Sequence, residues 1–144
     1  NEVLPGILLA ATSGEGQFDA VLEEALGFFT AAPIRARILL RELLDRPEHM
    51  HQLFRSHVRP WLGLVSESIR KGQSRGTVRQ DLDPEAYVAG VTILMLASIS
   101  THESLAVFAD ASEEATPEQL LQRSTQELVR IAKTSLFAPT EPGS

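Results

Sequence analysis

Residues 72–84 read GQSRGTVRQDLDP, a polar stretch with two glycines that separates two long runs of helical sequence. Gly72 and Gly76 can adopt the positive φ angles at which helices commonly end. Asp83 followed by Pro84 is typical of a helix start, because aspartate caps free N–H groups and proline fits the first turn. The stretch therefore predicts a short loop at which one helix ends and another begins.

The sequence before this loop predicts a long, bent helix from residue 47 to about residue 71. Its apolar positions recur at helical spacing and predict an inward-facing set: Met50, Leu53, Phe54, His57, Val58, Trp61, Leu64, Val65 and Ile69. Pro60 lies inside this helix and removes a backbone hydrogen bond, so we expect a kink at residues 56–60. A bent helix leaves space against its neighbours, and such space can become a pocket.

The sequence after the loop predicts a helix from residue 84 to about residue 108 with two apolar stripes. One stripe contains Val88, Val91, Met95, Ile99 and His102. The other contains Tyr87, Gly90, Leu94, Ala97, Ser98 and Leu105. Two stripes need two partners, and we expect these to be the core of the domain and a second subunit.

Three further helices are predicted over residues 17–31, 33–44 and 117–137, where apolar residues recur at three- and four-residue steps. Thr116 to Gln119 combine a capping box with a first-turn proline. Residues 13–16 indicate a loop, and strand signals are poor. The sequence therefore predicts an all-α bundle of about five to six helices, forming a single domain over residues 1–144. Residues 1–16 are interpreted as the remnant of a linking helix and its loop, and residues 138–144 as a flexible tail.

Length and composition limit the functions open to this chain. Its 144 residues, 43% of them hydrophobic, are enough for one domain with a real core. The net charge of −6 argues against direct binding of nucleic acid, since phosphate binding needs clustered cations. No apolar run reaches the ~18 residues that a membrane span requires, so no membrane association is expected. Cysteine is absent, which excludes disulfides and thiolate chemistry.

Short motifs for metals and cofactors are incomplete. Glu48 and His51 form the Glu-x-x-His motif that helices of di-iron proteins carry. A di-iron site needs a second such motif, and the sequence contains none. Gly14-Glu15-Gly16 lacks the third glycine and the preceding strand that dinucleotide binding needs. No metal, cofactor or catalytic residue is therefore predicted.

The sequence motif R-G-x-x-R-x-D-L-D-P, from Arg75 to Pro84, lies between a predicted kinked amphipathic helix and a predicted, nearly all-apolar helix. This order resembles the effector-binding domain of the tetracycline-repressor (TetR) family of bacterial regulators, over about residues 17–137. In that family such a loop joins a pocket-lining helix to a dimer-forming helix. The resemblance implies the effector-sensing and dimerisation domain of a cytoplasmic transcriptional regulator, expected to be a repressor and not an enzyme.

The resemblance also implies a small hydrophobic effector, bound between the helices predicted over residues 17–31, 47–71 and 84–108. The residues expected to line its pocket are Phe28, Phe54, His57, Trp61, Val91, Met95 and His102. His57 keeps two interpretations: a core histidine with one satisfied hydrogen bond, or a polar group that orients an apolar ligand. Catalysis by His57 is disfavoured because no nucleophile or carboxylate lies at helical spacing from it.

A homodimer is the expected assembly, with the last two helices of each subunit packed into a four-helix bundle. The expected interface residues are Tyr87, Gly90, Leu94, Leu121, Leu128 and Ile131. DNA would be contacted only through an N-terminal helix-turn-helix domain of about fifty residues, which this chain is expected to lack. The start at Asn1, without an initiator methionine, is consistent with a fragment.

Two other functions remain open at this point. A helical protein-interaction module without a ligand predicts a filled core around Trp61 and no binding of apolar compounds. A small helical enzyme predicts a coupled acid–base pair in a cleft, and loss of turnover in a His57→Ala variant.

Overall fold

A computed structural model describes residues 14–53, 55–56, 59–108 and 114–139. These residues form six α-helices and one 3-10 helix. The α-helices are α1 (Gly14–Ala31), α2 (Pro33–Asp45), α3 (Pro47–Leu53), α4 (Arg59–Arg75), α5 (Pro84–Ser100) and α6 (Pro117–Leu136), and the 3-10 helix, His102–Phe108, follows α5. The all-α prediction is confirmed.

The predicted helix starts at the loop and before the last helix are confirmed in detail. The Asp83 side chain accepts a hydrogen bond from the Ala86 N–H at 3.2 Å, and Pro84 follows it in the first turn of α5. At the start of α6, the Gln119 N–H donates to Thr116 Oγ1 at 3.1 Å, and the Thr116 N–H donates to Gln119 Oε1 at 2.9 Å. These reciprocal bonds satisfy N–H groups that have no partner within the helix.

The helix predicted over residues 47–71 is described as two α-helices with a π-helical turn between them. Helix α3 ends at Leu53, Arg55 and Ser56 form a wider π-helical turn, and α4 begins at Arg59. Pro60 is then the second residue of α4, where a missing N–H costs no hydrogen bond. Residues 54, 57 and 58 are not among the described residues, so the kink predicted at residues 56–60 stays a prediction.

Other predicted boundaries also need correction. Helix α1 begins at Gly14, so residues 14–16 are helical and not part of a loop. Helix α4 runs through Gly72 to Arg75, and Gly76 alone of the described residues has a positive φ, +80°. Helix α5 ends at Ser100, and the 3-10 helix leaves it at 90°. The hydroxyl of Thr101 donates to Ala97 O at 2.7 Å, a local bond that competes with continuation of the helix. The interpretations of residues 1–13 and 140–144 fall outside the described residues.

The loop between α4 and α5 is fastened to both of its neighbours. The Gln73 side-chain amide donates to Arg79 O at 3.0 Å and to Leu82 O at 2.8 Å, which holds the loop against the end of α4. Two backbone bonds then join the loop to the end of α6: Arg79 N–H to Leu136 O at 3.0 Å, and Ala138 N–H to Thr77 O at 2.9 Å. Residues 136–138 are thus fixed to the loop.

Two apolar clusters hold the helices together. The larger one is centred on the C-terminal half of α5, where Leu96 and Ile99 are completely buried. Its other buried members are Leu22, Ala36, Met95, Leu121, Leu128 and Ala132. The smaller cluster joins Ile69, Val78 and Leu136 beneath the loop. In the part of the chain described here, no single helix has both the length and the apolar character to cross a membrane. Only the bent pair of α5 and the 3-10 helix meets those criteria together.

Candidate functional site

A pocket of about 330 Å³ lies among α1, α4 and α5 and is also lined by the loop and the end of α6. Its lining is mainly apolar and comprises Phe18, Val21, Leu22, Ala25, Val65, Ser68, Ile69, Gly72, Arg75, Thr77, Val78, Tyr87, Val88, Val91, Thr92, Met95, Leu136 and Phe137. The volume is at the small end of the ~300–1,000 Å³ typical of ligand pockets. Such a space suits a small and largely apolar molecule.

The walls follow from helical periodicity. Each of the three helices places residues three or four apart on one side, as Phe18, Leu22 and Ala25 do on α1. The same spacing relates Val65, Ile69 and Gly72 on α4, and Val88, Val91 and Met95 on α5. The apolar faces of the three helices thus form the walls of the pocket and leave a space between them.

The floor depends on a close approach that only glycine permits. A Cβ atom on Gly72 would collide with Val78 Cγ2 and lie 3.2 Å from Val78 Cβ. The absence of this atom lets Val78 fold back over α4 and become buried. Phe137 follows Leu136 and packs edge-on against Phe18, with ring centroids 5.7 Å apart.

Sequence reasoning missed the loop and the C-terminal segment as parts of the site. An available signal was the presence of apolar Val78 and Leu82 in an otherwise polar loop. Phe137 carried no comparable signal, because its contact with Phe18 joins residues at opposite ends of the chain.

Three hydroxyl groups in the pocket wall donate hydrogen bonds to backbone carbonyl oxygens. The Tyr87 hydroxyl donates to Ala132 O at 2.6 Å, which fixes α5 to α6 beside the pocket. Burial raises the pKa of Tyr87 above its ordinary value, because the phenolate would lose its hydration. Thr92 Oγ1 donates to Val88 O at 2.7 Å, and Thr77 Oγ1 donates to Gly72 O at 3.2 Å.

The structure brings two of the predicted pocket residues, Val91 and Met95, into the wall. Phe28 does not line this pocket; it is 55% exposed, with the Arg35 guanidinium 4.4 Å from its ring centroid. His102 also lies elsewhere, in the 3-10 helix, where its Nδ1 is 3.0 Å from Ile99 O. Periodicity placed these side chains on an apolar stripe but could not show which part of the stripe faces a cavity.

The remaining predicted pocket residues cannot be placed. Phe54 and His57 are not among the described residues, and Trp61 belongs to α4 without a described side chain. Both interpretations of His57 therefore stay predictions.

The predicted interface residues fall into two groups. Leu121 and Leu128 are buried inside the single chain, with Leu128 only 2% exposed, because α6 packs them against the larger cluster. Tyr87 is half-buried at the pocket. Gly90, Leu94 and Ile131 are exposed. A partner subunit could therefore contact the exposed group, whereas Leu121 and Leu128 offer it little surface.

The described part of the chain contains no cluster of three or more His, Asp or Glu side chains that could hold a metal ion. Glu48 and His51 of the incomplete di-iron motif are both exposed. His51 Nε2 lies 2.8 Å from Arg55 Nη2, so its neighbour is a cation and not a second carboxylate.

Comparisons with known proteins now bear on this arrangement. The sequence model of the tetracyclin repressor-like C-terminal domain matches residues 38–114, just over half of the chain. No curated protein and no solved structure matches the sequence. The matched segment contains most of α2, all of α3 to α5 and the loop that lines the pocket. The chain therefore belongs to the tetracycline-repressor-like C-terminal domain family, whose members are ligand-sensing regulatory domains.

Proposed function

We propose that this chain is the effector-sensing and dimerisation domain of a TetR-like bacterial transcriptional regulator, and that it binds a small hydrophobic effector. The observation that carries the proposal is the apolar pocket of about 330 Å³ among α1, α4 and α5. Family membership supports it, because domains of this family generally bind small ligands and dimerise.

The contacts around the pocket would allow a bound ligand to change how α6 packs in the proposed dimer. An effector in contact with α4 and α5 would also touch Val78 of the loop and Phe137 after α6. Because the loop is hydrogen-bonded to the end of α6, a displacement at the pocket would be passed to that helix. Binding shifts the conformational equilibrium only if the effector prefers one arrangement of these helices.

The dimer surface that we propose is the outer face of α5 together with Ile131 of α6. Five exposed residues make this face of α5 apolar: Ala86, Ala89, Gly90, Ile93 and Leu94. Two copies would pair α5 and α6 into a four-helix bundle. A Leu94→Glu variant should sediment as a monomer, whereas Leu44→Glu, at a 72% exposed position on α2, should sediment like the unmodified chain.

In the intact regulator, an N-terminal helix-turn-helix domain would read DNA in the cytoplasm. The dimer must place two reading heads about 34–36 Å apart to match successive major grooves. Effector binding would change that spacing and release the repressor from its operator. The proposal assigns no enzymatic activity to the domain, in keeping with its regulatory family.

A pair of identical substitutions tests whether the pocket binds ligands. Val91→Phe adds bulk to the pocket wall, whereas Val107→Phe adds it at an 80% exposed position on the 3-10 helix. The probe is N-phenyl-1-naphthylamine, a neutral apolar dye whose fluorescence rises when it leaves water. We expect saturable binding of one dye per chain by the unmodified protein and by Val107→Phe, and at least tenfold weaker binding by Val91→Phe. Equal binding by both variants, or no binding by the unmodified protein, would contradict the proposal.

A further inference from the structure

One charged residue lies at the rim of the apolar pocket. Arg75 is the last residue of α4 and is exposed. Among the described residues that line the pocket, it is the only one whose side chain is charged at neutral pH. An arginine in the last turn of a helix is favourable beside the helix dipole, which explains its place in the sequence. That interaction leaves the five guanidinium N–H donors available to a further partner.

Neighbouring cations have carboxylate partners, but Arg75 has none within the described residues. Arg70, five residues before Arg75 on α4, contacts Glu85 of α5 at 2.8 Å. Arg79 contacts Asp81 at 3.2 Å, and Lys133 contacts Asp19 at 3.2 Å. Asp83 is engaged at the start of α5. Four carboxylates on the elements that line the pocket, those of Glu85, Asp81, Asp19 and Asp83, thus already have partners.

Three other polar side chains of the lining already donate their hydroxyl hydrogens within the protein. The hydroxyl hydrogens of Tyr87, Thr92 and Thr77 are all directed to backbone oxygens. A ligand with a polar group must therefore leave that group at the rim, where the Arg75 guanidinium and water can both reach it. Its apolar part would occupy the interior.

We infer that the effector is an amphipathic anion: a compact apolar body carrying one carboxylate or similar acidic group that pairs with Arg75. This inference rests on the proposed function, because it names the chemical class bound by the same pocket. A charge-assisted hydrogen bond from arginine to a carboxylate is stronger than one between neutral groups. At this partly hydrated rim it should favour the acid over a neutral analogue by roughly tenfold.

Three probes with the same ten-carbon chain test the inference: decanoate, decan-1-ol and decylammonium, each below the concentration at which it forms micelles. Isothermal titration of the unmodified chain should give about tenfold tighter binding of decanoate than of decan-1-ol, and the weakest binding for decylammonium. Arg75→Gln should remove the preference for decanoate while leaving decan-1-ol binding unchanged. Arg79→Gln is the matched control, because it removes the same charge from a residue that does not line the pocket; it should keep the preference.

The outcomes separate this inference from the proposed function. Equal binding of decanoate and decan-1-ol, both lost in Val91→Phe, would overturn the role of Arg75 and leave the apolar pocket intact. A decanoate preference that survives in Arg75→Gln, or that is lost equally in Arg79→Gln, would also overturn it. If none of the three probes binds and the neutral dye does not bind either, the pocket itself is not a ligand site and both proposals fail.

Discussion

The two halves of α5 are packed in different ways. In the C-terminal half, four side chains are buried: Met95, Leu96, Ile99 and Ser100. In the N-terminal half, four side chains are only half-buried and line the pocket: Tyr87, Val88, Val91 and Thr92. One continuous helix thus belongs to a filled core at one end and to a cavity wall at the other. The comparison indicates that the buried core and the pocket lie at different ends of the same helix.

The difference originates in what each half faces. The C-terminal half packs against α1, α2 and α6 through the larger cluster, which leaves Leu96 and Ile99 no contact with solvent. The N-terminal half faces α4 and the loop, whose own side chains stop short of filling the space. A filled core resists change, whereas an incompletely filled one can accept a ligand at small cost.

The largest expected effect comes from truncating each half of α5 in turn. Leu96→Ala should lower the free energy of unfolding by about 2–5 kcal/mol, because it leaves a cavity in a filled core. Val91→Ala should lower it by about 1 kcal/mol or less, since it enlarges a space that already exists. Urea denaturation followed by circular dichroism measures both. Equal losses would show that the two halves do not differ as described.

A smaller effect is expected from a methyl group added at either of two glycines in α4. Gly72→Ala should cost about 1–3 kcal/mol, because Val78 must move away from the new Cβ. Gly63→Ala is the matched control, since nothing lies within 4 Å of its Cβ position. It should stabilise the helix by about 0.5–1 kcal/mol. Thermal unfolding that changes equally in both variants would contradict the close packing of the loop.

The smallest effect concerns the hydrogen bond between α5 and α6. Tyr87→Phe should cost about 0.5–1.5 kcal/mol at neutral pH, because Ala132 O loses its donor. Tyr87 is the chain's only tyrosine, so absorbance near 295 nm follows its ionisation directly. Burial raises the folded pKa above the unfolded value of about 10.

The sign of the pH dependence follows from that shift. Above about pH 10 the unfolded chain releases the Tyr87 proton while the folded chain keeps it, so stability falls as the pH rises. The Tyr87→Phe variant should lose this component of the decline. A phenolate titration with an unshifted midpoint in the folded protein would contradict the buried hydrogen bond.

Local signals in the sequence were sufficient for the helices and their starts. Asp83 and Thr116 cap N–H groups within one turn, and Pro84 fits the first turn through its fixed φ, so these effects can be predicted without knowing the tertiary structure. The pocket wall was only partly predictable. Val91 and Met95 share a stripe with His102, yet the helix ends at Ser100 and the stripe does not continue.

The contacts at the loop side of the pocket join distant parts of the chain and carry no periodic signal. Val78 pairs with Phe137 across almost sixty residues, and Phe18 meets the same ring from α1. Leu128 was predicted at an interface from its position on an apolar stripe, and the larger cluster covers it within one chain. A stripe predicts that a residue is covered, and only the tertiary structure shows whether it is and by what.

Amide hydrogen exchange with and without saturating N-phenyl-1-naphthylamine tests the central claim most directly, namely that the ligand occupies the pocket end and acts on α6 through the loop. We predict slower exchange at residues 65–79 and 134–138, with little change at residues 96–100 and 120–128, which are already protected by the buried core. Slower exchange confined to residues 102–108, or no change at residues 134–138 when the dye is bound, would contradict the account.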